Sequence, residues 1–170
     1  MPKKVATPST RPGARPVYRS NLFREKIHDS YKSRGKLHEP TVCPQCAAVY
    51  HKGRWQWLPK PASARKAMCP ACHRIHDRFP AGYVRLEGEF FQAHREELLQ
   101  LVGNAEERAR SEHVLERVMG IEHDRDGTNV TTTDIHLARR IGEALYRAYH
   151  GKLDVKYSPD EYRVRVTWSR

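Results

Sequence analysis

Four cysteines form two closely spaced pairs, and these pairs carry the clearest chemistry in the chain. Two residues separate Cys43 from Cys46, and two separate Cys69 from Cys72. A Cys-x-x-Cys turn lets two thiolates hold one ion, and two such turns complete the tetrahedral site of a zinc ribbon. Four thiolates leave no coordination position for substrate water. We therefore predict one structural Zn²⁺ held by all four cysteines, with redox chemistry or an iron–sulfur site as the alternative.

Histidines lie near both cysteine pairs and raise the question of catalysis. Zinc-stapled HNH nucleases also combine Cys-x-x-Cys pairs with a catalytic His dyad and a second metal ion. The segment between the pairs offers only His51, with no acidic residue or second His beside it in the sequence. His73 and His76 follow the second pair, and we expect them to lie on the surface or beside the metal site. We therefore predict no catalytic residues and keep a zinc-stapled, HNH-like nuclease as an alternative function.

Cations and two tryptophans surround the cysteine pairs. Trp55 and Trp57 are two residues apart, so on a strand they share one face. They either form the small core of the ribbon or offer a platform on which an unpaired base can stack. The surrounding cations are expected to contact phosphates. The predicted RNA-binding residues are Lys3, Lys4, Arg11, Arg15, Arg19, Lys52, Arg54, Trp55, Trp57, Lys60, Arg65, Lys66, Arg74 and Arg78.

Positive charge is concentrated in the first half of the chain. The 170 residues carry a formal net charge of +11 and an isoelectric point near 9.8. Residues 1–82 hold 17 Lys and Arg against four acidic residues, whereas residues 83–170 hold 14 against 16. This distribution predicts a nucleic-acid partner for the first half. A DNA-binding regulator is a further alternative, but no predicted helix carries the basic stripe that a recognition helix needs.

Hydropathy indicates the compartment. The mean hydropathy is −0.81, and no apolar run approaches the roughly 18 residues that a membrane span requires. The Pro- and Arg-rich start lacks the apolar segment of a signal peptide. We expect a cytoplasmic, monomeric protein with no membrane partner.

Composition divides the chain into four parts. Residues 1–20 have too few apolar side chains to fold alone and predict a disordered basic arm. Residues 21–40 predict a short amphipathic helix, Asn21 to Arg34, followed by a linker. Residues 41–82 form the zinc ribbon, and residues 83–170 form a near-neutral α+β module.

The α+β module shows a regular alternation of predicted elements. A strand at Tyr83 to Glu87 precedes a helix at 90–102, which breaks at Gly103 and Asn104 before helix continues over 105–116. A hairpin turning at 124–127 follows. Asp134 is expected to cap a second helix that runs to Tyr149, and two alternating segments close the chain. The order β-α-β-β-α-β with one extra strand is typical of a ferredoxin-like sandwich.

The arrangement of these parts resembles a known family, the ribosome-binding NMD family of large-subunit export adaptors and their archaeal relatives. The similarity covers about residues 43–168 and lies mainly in the second cysteine pair, the strand Val84 to Gly88 and the helix containing Ala138-Arg139-Arg140. It implies a short bacterial relative with one four-cysteine site, associated with the large ribosomal subunit and dependent on zinc. We therefore expect a noncatalytic factor that binds rRNA through its basic arm and ribbon, in quality control, stress protection or hibernation.

Overall fold

The structure is a computed structural model that describes residues 27–170. The predicted basic arm and the first residues of the predicted short helix, 21–26, lie outside the described residues. Within the described part the chain forms a mixed α+β fold with two sheets and four helices. No described helix has both the length and the apolar character needed to cross a bilayer.

The first sheet is small. The first cysteine pair lies between β1 and β2, and the second pair lies at the start of the helix that follows β4. Its strand order is β3-β2-β1-β4, with β4 parallel to β1 and the other pairs antiparallel. Lys52 and Gly53 join β2 to β3 with φ angles of 51° and 76°, a left-handed turn that favours glycine. The elements are β1 (Thr41–Val42), β2 (Val49–His51), β3 (Arg54–Gln56), β4 (Arg65–Lys66) and helix α1 (Pro70–Asp77).

The second sheet forms the larger part of the molecule. One of its faces packs against α3 and α4, and the main hydrophobic core lies between them. The elements are β5 (Gly82–Glu87), α2 (Glu89–Ala93), α3 (Arg95–Glu112), β6 (Val118–His123), β7 (Gly127–Thr132), α4 (Ile135–Tyr149), β8 (Lys152–Tyr157) and β9 (Val164–Ser169).

The strand order of the second sheet is β6-β7-β5-β9-β8. Strand β5 pairs antiparallel with β7 and parallel with β9, while β8 pairs with the outer edge of β9. The sheet therefore has five strands, as the sequence predicted. The last strand in the chain, β9, lies between β5 and the edge strand β8. The alternation along β5 sets the faces: Val84 and Leu86 are buried toward the helices, and Tyr83 and Arg85 point to the opposite face.

Helix α4 is fixed at its start and along its buried face. Asp134 accepts a hydrogen bond from the His136 N–H at 2.7 Å, which confirms the predicted N-cap. Farther along, Gly142 lies so close to β9 that an added Cβ would be 2.5 Å from Cγ1 of Val166. The helix therefore approaches the sheet more closely than a larger residue would allow.

Two predicted helical features differ in the structure. Residues 27–34 form turns rather than the end of a helix, because Asp29 accepts a hydrogen bond from the Tyr31 N–H at 3.0 Å and is drawn into a buried ion pair. The predicted break at Gly103 and Asn104 is also wrong. Helix α3 runs through both residues to Glu112, because packing of its buried face outweighs the roughly 1 kcal/mol cost of an internal glycine.

Candidate metal centre and basic surface

The four cysteines converge on one point. Their sulfur atoms all lie within 4.8 Å of one another, and Sγ of Cys46 is 3.7 Å from Sγ of Cys69. All four are free of disulfides, and Cys43, Cys69 and Cys72 are buried. The cluster could bind a metal ion. Among residues 27–170 it is the one group of three or more Cys, His or acidic side chains with ligand atoms that converge in this way.

Each cysteine pair is shaped by local backbone hydrogen bonds. In the first pair the Cys43 N–H donates to the Ala48 carbonyl at 2.8 Å, and Ala47 adopts a left-handed φ of 61°. In the second pair Cys69 is the N-cap of α1, and its sulfur accepts from the Cys72 N–H at 3.5 Å. These turns point the sulfur atoms inward, and N–H groups that donate to sulfur favour the thiolate form.

The centre has a buried cationic partner that the sequence did not reveal. Arg117, 6% exposed, donates from Nη2 to Sγ of Cys46 at 3.1 Å and from Nη1 to Sγ of Cys72 at 3.3 Å. Its Nε donates to the Val114 carbonyl at 2.9 Å, which fixes the guanidinium plane. Arg117 lies just before β6, so hydrogen bonds connect the sulfur cluster directly to the larger α+β part of the chain.

These contacts shift the protonation of the sulfurs and of the arginine. A hydrogen bond from Cys69 lowers the pKa of Cys46 to about 4, and Arg117 acts in the same direction. Burial raises the pKa of Cys72. Burial opposes the charge of Arg117, but the hydrogen bond and the negative charge of Cys46 raise its pKa above the usual value. The Cys46 thiolate thus lies beside a guanidinium cation, while burial favours the thiol form of Cys72.

The two tryptophans have different surroundings. Trp55 is half-buried, packs against the cysteine cluster and meets the Tyr50 ring edge-on at 5.5 Å. Trp57 is 38% exposed, and its Nε1 donates to the Arg110 carbonyl on α3 at 2.7 Å. The interpretation of the pair as a joint ribbon core therefore holds for Trp55 alone. Trp57 instead connects the first sheet to α3.

Most of the predicted phosphate-binding cations in the described part are exposed. They form no ion pair with any residue in 27–170, and they line both edges of the first sheet, its hairpin tip and the loops beside it. These exposed residues are Lys52, Arg54, Lys60, Arg65, Lys66 and Arg78. The other predicted cations, Lys3, Lys4, Arg11, Arg15 and Arg19, lie outside the described residues.

Arg74 does not belong to this exposed set, and its burial argues against the predicted RNA contact. Its side chain is 2% exposed, and Nη2 donates to Oδ1 of Asp29 at 2.5 Å. Nη1 donates to the Phe79 carbonyl at 3.1 Å. A phosphate could reach Arg74 only if this buried ion pair were broken, which is strongly unfavourable.

The histidines near the cysteines are not drawn into the sulfur cluster. His73 and His76 are exposed on α1, and His76 lies 2.9 Å from an oxygen of Asp77. The structure does place an acid near His51, which the sequence did not show: Glu39 lies 3.7 Å away. That carboxylate also accepts from the N–H groups of Lys52 and Gly53 at 2.7 and 2.9 Å, so it holds the hairpin turn.

A groove of about 1510 Å³ separates the first sheet from the start of α4. Glu116 lines it, is 6% exposed, and accepts a hydrogen bond from Arg140 at 2.8 Å. Burial, with a contribution from the negative charge of Asp134, raises the pKa of Glu116 to about 7. No spacing in the sequence identifies this carboxylate, because its environment is formed by distant segments.

In comparisons with known proteins, no family, no curated protein and no solved structure matches this chain.

Proposed function

We propose that the protein is a noncatalytic, ribosome-associated factor that binds rRNA of the large subunit through its basic arm and four-cysteine module, residues 41–82. The observation that carries the proposal is the set of exposed cations around the first sheet. Arg65 and Lys66 extend from its edge strand, and Arg54 extends from the opposite edge, none of them in an ion pair within residues 27–170. By contrast, several cations of the second module, such as Arg139 and Arg147, pair with acids.

Unpaired surface cations suit a polyanion. A phosphate contact releases condensed counterions, and no internal ion pair must first be broken. The excess of positive charge lies in residues 1–82, which include the first sheet, and residues 83–170 carry no such excess. RNA of the large subunit is proposed as the target because of the resemblance to the NMD family over residues 43–168.

We infer that zinc is the ion held by the cysteines. Tetrahedral coordination with Zn–S bonds of about 2.3 Å requires sulfur atoms about 3.8 Å apart. The 3.7 Å separation of Cys46 and Cys69 agrees with that geometry. A four-thiolate site has no open position for a reacting water, so its role is to stabilise the small first sheet.

The second module is proposed to be a variant of the ferredoxin-like sandwich that positions the RNA-binding part. It contains two β-α-β units whose connected strands are not neighbours: β7 lies between β5 and β6 in the first unit, and both β5 and β9 lie between β7 and β8 in the second. Split units of this kind characterise that fold. A cytoplasmic location follows if the ribosome is the partner.

The test is cosedimentation of the purified protein with separated ribosomal subunits at moderate salt. We expect pelleting with the large subunit, and weaker pelleting as the salt concentration rises. The double variant Arg65→Gln/Lys66→Gln should reduce binding by about tenfold and lower the salt slope by one to two. The matched control Arg139→Gln/Arg147→Gln removes the same charge from helix α4 and should bind like the wild type.

Three outcomes would contradict the proposal. Equal losses in both double variants would mean that net charge rather than the first sheet determines binding. Preferential pelleting with the small subunit would reject the inferred target. Metal-dependent nicking of the RNA that disappears in His51→Ala would favour a zinc-stapled nuclease.

A further inference from the structure

Aromatic side chains form a row that leads from the four-cysteine module onto the second sheet. The rings of Tyr31 and Phe79 are stacked, with centroids 6.1 Å apart and planes inclined by 24°. The guanidinium carbon of Arg163 lies 5.4 Å from the Phe79 ring and 5.8 Å from the Tyr83 ring. We call Tyr31, Phe79, Tyr83 and the intervening Arg163 the aromatic row.

Phe79 is held at the surface rather than in the core. Its ring is 45% exposed, although an apolar ring of this size gains most from burial. Its backbone is fixed from both sides, because its N–H donates to the Arg74 carbonyl at 3.0 Å and its own carbonyl accepts from Nη1 of Arg74. The buried pair of Arg74 with Asp29 therefore positions an exposed ring, which points to a role in binding.

The row continues on the face of the second sheet that points away from α3 and α4. Tyr83 and Arg165 are register partners on adjacent strands, so their side chains lie next to each other on this face. Beside them the face carries small polar residues, Asn129, Thr131 and Thr167, that are exposed or half-buried. A protein surface in which an aromatic ring is flanked by hydroxyl and amide groups can stack on a flat ligand ring and form hydrogen bonds with its polar edges.

The charge near the row favours a polyanion. Arg78 and Arg165 are exposed and form no ion pair with the residues that the structure describes. Arg163 pairs with Glu161 at 2.8 Å. A second acid beside the row, Asp77, is already bonded to the Tyr31 hydroxyl at 2.9 Å and to His76. An acidic protein surface would use these cations but would leave the exposed Phe79 ring without a matching partner.

We propose that the aromatic row is a second RNA site, on which unpaired bases stack while Arg78 and Arg165 contact the flanking phosphates. Stacking on aromatic side chains and on Arg guanidinium planes is the usual way in which proteins hold single-stranded RNA. This inference rests on the proposed RNA-binding function and deepens it. In this proposal the first sheet binds the phosphates of both single-stranded and duplex RNA, whereas the aromatic row binds only single-stranded RNA.

The experiment compares binding of a fluorescein-labelled, unstructured 12-nucleotide RNA with binding of a duplex of the same length. Phe79→Leu keeps apolar volume but removes the ring, and it should weaken single-strand binding by about fivefold or more. Duplex binding and the salt slope should stay at wild-type values, because stacking releases no counterions. The matched control is Ile121→Ala, which alters another exposed apolar residue, on β6, and should change neither affinity.

The outcomes separate this site from the proposed function. If Phe79→Leu binds both RNAs like the wild type, the row is not a binding site, while salt-dependent binding through Arg65 and Lys66 would still stand. If it weakens duplex and single strand equally, the ring supports the fold or general phosphate binding, and selective stacking is rejected. If the wild-type protein binds neither RNA at low salt, both the proposed function and this site are wrong.

Discussion

Arg117 donates a hydrogen bond to the sulfur of Cys46 at 3.1 Å, although 71 residues separate them in the chain. The same guanidinium donates to the sulfur of Cys72, and its carbon atom lies 5.7 Å from the centroid of the Trp57 ring. Four thiolates around a divalent ion carry an excess of negative charge, and a buried cation compensates it. The larger module thus supplies the cation that lies beside the cysteine sulfurs.

Arg117→Met should weaken metal retention, because it removes the compensating charge and both sulfur hydrogen bonds. Loss of such an outer partner typically costs 10- to 100-fold in metal affinity. The measurement is metal release to a chromogenic chelator, followed over time and as a function of chelator concentration. Arg117→Lys, which keeps the charge but not the planar fork, should give an intermediate value.

The control for this prediction is Arg110→Met, which removes an exposed guanidinium 5.6 Å from the Trp57 ring. This variant should release metal at the wild-type rate, because Arg110 makes no contact with a cysteine sulfur in the described structure. Equal release from the Arg117 and Arg110 variants would show that Arg117 does not stabilise the centre.

Glu116 should make stability depend on pH. Its pKa is raised to about 7 in the folded protein, chiefly by burial, against 4.5 for an ordinary glutamate. The folded state therefore binds more protons between these values, and the free energy of unfolding should fall as pH rises from about 4.5 to 7. Glu116→Gln removes this titration and should flatten the fall by on the order of 2 kcal/mol.

Urea unfolding at pH 5 and pH 7.5 measures the effect. Glu122→Gln is the matched control, because Glu122 is exposed on β6 and should leave the wild-type pH dependence in place. A Glu116→Gln variant with the full wild-type fall in stability would show that another group titrates.

Local signals in the sequence were sufficient for elements fixed by neighbouring residues. The hairpin before β7 turns where Asp124 accepts from the N–H groups of Asp126 and Gly127, each at 2.9 Å. The cap of α4 and the turn within each Cys-x-x-Cys pair also depend on residues two or three positions apart. Such contacts need no knowledge of the remaining fold, and the structure confirms the hairpin and the cap.

Features set by distant segments were not predictable in the same way. Arg74 has the sequence environment of a surface cation, yet it pairs with Asp29, 45 residues earlier. The position of Arg117 beside the sulfurs depends on how β6 approaches the first sheet. The place of β9 between β5 and β8 depends on long-range strand pairing, which alternation within a strand does not encode.

Two glycines in helices should respond in opposite directions to the same substitution. An added Cβ at Gly103 of α3 meets no atom within 4 Å, whereas at Gly142 of α4 it would lie 2.5 Å from Val166 and 2.9 Å from Leu153. Gly103→Ala should therefore stabilise the protein by up to about 1 kcal/mol, through helix propensity and lower entropy of the unfolded chain. Gly142→Ala should destabilise it by about 1 to 3 kcal/mol, because the helix must move away from the sheet. Thermal and urea unfolding of both variants measure the difference, and a stabilising Gly142→Ala would show that α4 does not pack this closely on β9.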